Sequence, residues 1–167
     1  MKTACVIGIG NPYRGDDALG LIVAGQIEAQ GLKRVEVMTL SGEGAGLIDA
    51  WTGRTTVVVV DAVQADRQPG TIYRFDAGKE NIPARFFQYS SHAFGLAEAV
   101  ALARTLGQLP DSLIVYGVEG AQFAQGQPLC EAVQAVVPTV VERIWKDLAA
   151  VGLREETGTW PPCPKDD

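Results

Sequence analysis

The chain has 167 residues, 47% of them hydrophobic, which is enough apolar material for one domain with a buried core. Its net charge of −6 and its lack of any basic run argue against a nucleic-acid surface or an anionic-membrane surface. Its three cysteines are scattered without C-x-x-C spacing, which argues against a disulfide framework or a zinc site and fits a reducing compartment. We therefore expect a cytoplasmic protein with no nucleic-acid or membrane partner.

The N-terminal stretch is not expected to be a secretory signal. The apolar stretch after Met1-Lys2 is interrupted by Gly8 and Gly10, and no small-residue cleavage site follows, which argues against a secretory signal. The longest apolar run, around residues 57–60, is far too short to span a bilayer. We expect a single α/β domain over residues 1–154 and a frayed C-terminal tail over residues 155–167.

The N-terminal part is predicted to begin with a buried strand. Residues 4–9 are continuously apolar and branched, which is typical of a strand covered on both faces. An amphipathic helix is predicted from about residue 17 to residue 30 and ends at Gly31. The next strand, residues 35–40, alternates in polarity and is therefore expected near a sheet edge, and residues 42–46 predict a short glycine-rich turn.

The rest of the chain continues the alternation of strands and helices. Strands are predicted at residues 56–60, 70–75 and 112–118, with a glycine-rich turn at 117–120. Helices are predicted at about residues 91–106 and 129–151, the second kinked or split at Pro138. This alternation predicts a three-layer α/β fold, in which a mostly parallel sheet has helices on both faces.

Polar side chains follow several of the predicted strands. Asp16 and Asp17 lie in the loop after the first strand, Asp61 comes after four valines, and Glu119 follows the strand at 112–118. Because ligands of open parallel sheets bind outside the carboxyl ends of the strands, these carboxylates are expected on one rim. His92, the only histidine, is expected at the start of a helix.

Each of these residues also has an ordinary structural interpretation. Asp17 is suited to cap a helix, Asp61 to anchor a loop, and a lone histidine at a helix start is often simply exposed. Taken together, two carboxylates and one imidazole form a mixed oxygen and nitrogen ligand set for a divalent ion such as nickel, zinc or manganese. The residues alone do not select nickel over zinc.

Other site motifs are absent or incomplete. The third glycine after Gly8 and Gly10 comes at Gly15, too late for a dinucleotide fingerprint, and neither a P-loop nor a G-x-S-x-G elbow occurs. Ser90 and Ser91 are too close in sequence to His92 for a catalytic triad. A hydrolase built on this chain is therefore expected to use a metal-dependent route without a covalent nucleophile.

Several short motifs occur in a fixed order along the chain. They are Val6-Ile7-Gly8-Ile9-Gly10-Asn11 with Gly15-Asp16-Asp17, Val60-Asp61-Ala62, Ser91-His92-x-x-Gly95-Leu96, and Gly117-Val118-Glu119. Their order, spacing and strand context resemble those of hydrogenase maturation endopeptidases, over roughly residues 3–150. The resemblance implies a five-stranded twisted sheet between helices, of the phosphorylase/hydrolase-like kind.

The same resemblance implies an activity and a set of site residues. The activity is that of an aspartyl-type protease that removes a C-terminal extension from the large-subunit precursor of a nickel–iron hydrogenase. Asp17, Asp61 and His92 are implied as catalytic and metal-binding residues, with Asp16 as the second choice for the first position. The Ni²⁺ is expected to arrive with the precursor, and Zn²⁺ or Cd²⁺ to substitute in vitro.

One segment departs from the pattern of the family. Where many members have a threonine in a glycine-rich motif linked to substrate choice, this chain has Glu43 beside Gly42. We expect Gly42, Glu43 and Glu119 to contact the substrate, although Glu119 fits a structural loop residue or an indirect partner of the site equally well. We expect a monomer. A non-proteolytic chaperone for metal or precursor and a nucleotide-binding α/β domain are the alternatives.

Overall fold

The computed structural model describes residues 4–87 and 92–153. The predicted tail at 155–167 and the position of Ser91 lie outside these ranges. The elements, in chain order, are β1 (Ala4–Ile9), α1 (Leu19–Ala29), β2 (Val35–Leu40), α2 (Gly44–Trp51), β3 (Thr56–Val63), β4 (Ile72–Asp76), α3 (Leu96–Thr105), β5 (Ser112–Glu119) and α4 (Glu131–Ala150), with 3-10 turns at Gly15–Ala18 and Ala84–Phe86.

The strands form one five-stranded sheet with the order β2-β1-β3-β5-β4. Strands β2, β1, β3 and β5 are parallel to their neighbours, whereas β4 pairs antiparallel with β5. The mostly parallel sheet and the edge position of β2 are thus confirmed. The carboxyl ends of β1, β3 and β5 consequently open on the same side of the sheet.

Two hydrophobic cores cover the two faces of this sheet. On one face, alternate strand residues such as Ile7 and Val59 pack with α2 and α3. On the other face, Val6 and Val58 pack with α1 and α4. Because successive side chains of a strand point to opposite faces, continuously apolar strands supply both cores at once. The three-layer α/β fold is confirmed.

Close packing of glycines brings α1 against the site edge of the sheet. A Cβ atom at Gly20 would lie 2.3 Å from the Ile9 carbonyl oxygen and 2.4 Å from the Val60 carbonyl oxygen. A Cβ atom at Gly8 would lie 2.2 Å from the Gly20 carbonyl oxygen. The first turn of α1 therefore lies directly on the ends of β1 and β3, and it could not do so with larger residues.

Two predicted turns were wrong because regular structure extends through them. The glycine-rich segment at 42–46 runs into α2, which begins at Gly44 because the Glu43 carboxylate accepts hydrogen bonds from the N–H groups of Ala45 and Gly46. The segment at 117–120 is mostly strand, because β5 continues to Glu119 beside β3. Asp61 accordingly lies inside β3 rather than after it.

The predicted helices differ from the observed ones mainly at their ends. The first begins as a 3-10 turn at Gly15, and α3 begins at Leu96, so that His92 precedes the helix. Helix α4 is continuous through Pro138, which is exposed, so the helix is not split there, and the kink that was the other predicted outcome stays a prediction. Within the described ranges, no helix combines the length and the apolar character that crossing a membrane requires.

Candidate functional site

A pocket of about 360 Å³ opens at the carboxyl ends of β1 and β3. It brings together the three side chains that the sequence singles out, Asp17, Asp61 and His92. The remaining lining comes mainly from the end of β1 and the loop after it, with contributions from the segment after β2, from β3 and from the segment after β4: Ile9, Gly10, Asn11, Pro12, Tyr13, Arg14, Ser41, Ala62 and Phe87. The expected convergence of strand ends therefore produces one concave site.

Asp61 is the most deeply placed carboxylate of the pocket. It is only 8% exposed and follows the valines of β3 into the pocket floor. Burial raises the pKa of Asp61 well above its ordinary value, and the nearby Asp17 carboxylate raises it further, against a smaller lowering by the Ala62 N–H group. The two carboxylates are close enough to repel each other when both are ionised.

Asp17 belongs to the 3-10 turn that leads into α1. Its Oδ2 atom accepts a hydrogen bond from the Asn11 N–H group at 3.1 Å, so its carboxylate is oriented by the loop rather than used to cap α1. Partial burial raises the pKa of Asp17, while the positive charge of Arg14 and the Asn11 hydrogen bond oppose the shift. Arg14 is thus a cationic member of the pocket that the sequence did not single out.

His92 lies half-buried on the side of the pocket near α2. The Gly44 N–H group donates to the Phe94 carbonyl at 2.9 Å, which joins the start of α2 to the segment carrying His92. Hydrogen bonds from Ala45 and Gly46 lower the pKa of Glu43, and the charge of His92 lowers it slightly more. Glu43 therefore lies within electrostatic range of His92, although neither Glu43 nor Gly42 lines the pocket.

The three pocket residues do not form a compact metal cage of their own. Within residues 4–87 and 92–153, no three side chains of His, Cys, Asp or Glu are grouped closely enough to hold a metal ion by themselves. Two carboxylates and one imidazole that face the same cavity can still coordinate a metal ion that another molecule brings to the pocket.

Comparisons with known proteins show which family the chain belongs to. A family model described as hydrogenase maturation protease matches residues 23–147. The chain belongs to the hydrogenase maturation protease family. The hydrogenase 2 maturation protease of Escherichia coli is 27% identical to it over 152 residues, covering 89% of this chain and 92% of that protein. A hydrogenase expression/formation protein, HupD, of Thiocapsa roseopersicina is 29% identical, covering 89% of this chain and 68% of that protein.

The structural comparison leads to the same family. The hydrogenase-maturating endopeptidase HybD of Escherichia coli superposes with a TM-score of 0.77 and 25% identity, covering 91% of this chain and 94% of that one. The protein is therefore a peptidase, and the non-proteolytic chaperone alternative is not favoured.

Glu119, which we expected as a possible substrate contact, is not placed to contact a substrate in the pocket of this protease. It is only 1% exposed and does not line the pocket. Its carboxylate accepts hydrogen bonds from the N–H groups of Ala65 and Arg67, and from the Tyr73 hydroxyl at 3.3 Å. These bonds hold the segment after β3, so the geometry fits the structural alternative.

Asp16, the second choice for the first metal-binding position, points away from the pocket of the protease. Its side chain is completely buried, at 0% exposure, and contacts the segment between β5 and α4. Asp17, the first choice, is the one of the pair that lines the pocket. Sequence alone does not separate adjacent aspartates in a loop, because their directions depend on which donors the rest of the chain presents.

Proposed function

We propose that this protease removes the C-terminal extension from the large-subunit precursor of a nickel–iron hydrogenase after nickel has been inserted. The observation that carries the proposal is the single pocket in which Asp17, Asp61 and His92 meet in a member of the hydrogenase maturation protease family. The protein is proposed to act in the cytoplasm as a monomer.

Nickel is part of the substrate in this proposal. The precursor presents the ion with ligands of its own, and Asp17, Asp61 and His92 complete its coordination through positions left open. Carboxylate and imidazole groups suit a borderline divalent ion, so Zn²⁺ or Cd²⁺ is expected to substitute in vitro. A divalent charge between Asp17 and Asp61 would also offset the mutual repulsion that contributes to the raised pKa of Asp61.

Ligation of the ion would place the scissile peptide against the pocket. Holding a peptide in one orientation removes much of the entropic cost of its hydrolysis. The paired carboxylates, of which Asp61 has a strongly raised pKa, are also suited to exchange a proton with an attacking water, as in an aspartyl-type peptidase. No covalent nucleophile is required. Glu43 and Gly42, beside the pocket on the α2 side, are proposed to contact the precursor and to influence which hydrogenase is processed.

The site assignment is tested with purified nickel-loaded precursor and mass spectrometry of the large subunit. His92→Ala and Asp61→Asn each remove a proposed metal ligand, so we expect cleavage to fall by at least about a hundredfold, beyond the ~10–100-fold typical of partners one step removed from the metal. Asp111→Asn, at an exposed position at the opposite end of the sheet, is the matched control and should cleave normally.

Three results would count against this proposal. Normal cleavage by both His92→Ala and Asp61→Asn would show that the pocket is not the site of recognition. Efficient cleavage of precursor prepared without nickel would show that the metal is not what the enzyme recognises. A wild-type protein that binds the precursor without shortening it would support the chaperone alternative.

A further inference from the structure

A carboxylate that the proposed reaction does not use lies directly beside the pocket. Asp16 is fully buried, yet it accepts three backbone hydrogen bonds. Its Oδ2 atom accepts from the N–H groups of Ala121 at 2.7 Å and Gln122 at 2.9 Å, and its Oδ1 atom accepts from the Cys130 N–H group at 2.7 Å. Short bonds from several N–H groups are the compensation that a buried carboxylate needs.

Further contacts join the same two segments. The Asp16 N–H group donates to the Gln122 carbonyl at 2.8 Å, and the Gly126 N–H group donates to the Tyr13 carbonyl at 2.7 Å. Gly15 has φ +55°, and a Cβ atom there would lie 2.3 Å from the Gln122 carbonyl oxygen. The turn at 13–16 is therefore clamped to the segment 121–130, with Asp16 at the centre of the clamp.

The clamped turn is the one that carries Asp17 into the pocket. Asp16 and Asp17 are consecutive residues of the 3-10 turn Gly15–Ala18, and their side chains leave it in different directions. Asp17 is further oriented by the Asn11 N–H group, which lies in the same loop. A shift of the turn would move the Asp17 carboxylate relative to Asp61, which is held independently by β3.

We propose that Asp16 is a positioning residue, which fixes the direction of the Asp17 carboxylate by clamping the first loop to the segment between β5 and α4. This inference rests on the proposed function of Asp17. A carboxylate suits this positioning role because both of its oxygens accept hydrogen bonds from backbone N–H groups. In Asp16→Asn the amide nitrogen would face an N–H donor on one side, so the clamp would loosen while the shape of the side chain is kept.

The experiment combines cleavage kinetics with amide NMR on the full chain. We expect Asp16→Asn to lower kcat for nickel-loaded precursor by about 10–100-fold, the range typical of partners that orient a ligating group, with KM within about twofold of wild type. The Asn11 amide should lose protection from hydrogen exchange, because it reports the bond to Asp17 without requiring activity.

Asp147→Asn provides a matched control for stability. Asp147 also accepts several hydrogen bonds, from Arg74 and Tyr116, but it lies on α4 outside the pocket. The substitution should lower the melting temperature without changing kcat for the folded protein or the exchange of the Asn11 amide. An Asp16→Asn protein that behaves in the same way would overturn the proposal.

A second pair of variants keeps the test decisive if Asp16→Asn does not fold. Cys130→Pro removes one N–H donor to Asp16 at a position whose φ of −69° proline accepts, whereas Cys130→Ser keeps that N–H group and a side-chain donor in place of the thiol that contacts Asp16. We expect reduced kcat and a less protected Asn11 amide in the proline variant alone. Equal behaviour of the two variants would contradict the positioning role. A normal cleavage rate in Asp17→Asn would contradict the proposed function of Asp17 and not the clamp. In that case the hydrogen exchange of the Asn11 amide in the Asp16 variants still tests the clamp.

Discussion

At the residue scale, the pocket holds two carboxylates, Asp17 and Asp61, whose ionised forms are disfavoured by burial in the folded protein. Asp61 is enclosed by β3 and faces the neighbouring Asp17, and burial is the larger cause of its raised pKa. A carboxyl group whose pKa is raised by folding stabilises the fold most below its ordinary pKa of 3.8, and this contribution is lost as the pH rises through the folded-state value. In the metal-free protein Asp61 therefore contributes less to stability at neutral pH than in acid.

This cost predicts a specific effect of pH on stability. In metal-free buffer with a chelator, the free energy of unfolding contributed by Asp61 should fall as the pH rises from about 4 through its raised pKa. Asp61→Asn should remove that dependence and raise the melting temperature at pH 7 by at least about 2 °C, equivalent to ~1 kcal/mol. Chemical denaturation across pH measures the free energy of unfolding and thermal denaturation at pH 7 measures the melting temperature, with Asp111→Asn as the control. A lower stability of Asp61→Asn at pH 7 would contradict the raised pKa.

Tyr13 is a second residue whose environment suggests a role. Its side chain is 70% exposed at the pocket rim, while its main chain is fixed by the Asn11 side chain at 2.9 Å and by Gly126. Exposed aromatic residues on rigid loops are frequent anchors for a binding partner. Tyr13→Ala is therefore expected to raise KM for the precursor about tenfold, or ~1.4 kcal/mol, with kcat nearly unchanged.

Steady-state kinetics with the precursor tests this expectation. Tyr13→Phe keeps the ring and should retain the wild-type KM. Leu106→Ala, which truncates another exposed side chain just beyond α3, should also have no effect. An unchanged KM in Tyr13→Ala would remove Tyr13 from the docking surface.

At the element scale, the position of α1 depends on glycine at its first turn. Gly20 faces the carbonyl oxygens of Ile9 and Val60 at distances that leave no room for a Cβ atom, whereas Gly25 in the same helix has nothing within 4 Å of that position. The helix thus has one face fixed by contact with the strand ends and one face free of such contact. Asp17 lies two residues before the start of this helix, in the 3-10 turn that leads into it.

The two glycines of α1 give a matched pair of substitutions. Gly20→Ala should lower the free energy of unfolding by about 1–3 kcal/mol through overpacking and should reduce cleavage, because the turn carrying Asp17 must shift. Gly25→Ala should instead raise stability by about 0.5–1 kcal/mol through helix propensity and leave cleavage unchanged. Urea denaturation and cleavage assays measure both. Similar effects of the two substitutions would contradict the packing argument.

At the scale of the whole molecule, one sheet supplies both hydrophobic cores. Trp51 lies in the core formed with α2 and α3, and Trp145 lies in the core formed with α1 and α4. Since alternate residues of the same strands enter each core, neither core can persist when the strands separate. The described part of the chain should unfold as one cooperative unit.

Fluorescence of single-tryptophan variants tests this cooperativity. One variant keeps only Trp51 and the other only Trp145, with the remaining tryptophans replaced by phenylalanine, including Trp160 outside the described residues. We expect denaturant midpoints and m-values that coincide with each other and with the loss of helical circular dichroism. Separate transitions for the two reporters would show that the cores unfold independently.

Much of the architecture follows from local sequence patterns. Continuous apolar runs identify buried parallel strands, and the fold of the family could be inferred from ordered motifs around Asp17, Asp61 and His92. The α2 helix was missed because its glycines favour a turn, and only the Glu43 carboxylate and packing against Phe94 explain why the helix forms. The ends of β3 and β5 were missed because pairing between strands, not composition, extends them.

The sequence by itself determined the kinds of side chain that gather at the ends of the strands, because parallel strands must present their carboxyl ends on one edge. Only the tertiary structure decided which carboxylates face the pocket. Asp16 turns inward because its hydrogen-bond donors lie 105 to 114 residues away in the chain, and Asp17 is left to line the pocket. Glu119 is likewise satisfied by backbone groups 52 and 54 residues away. Such distant donors become neighbours only when the chain folds, so no local pattern records them.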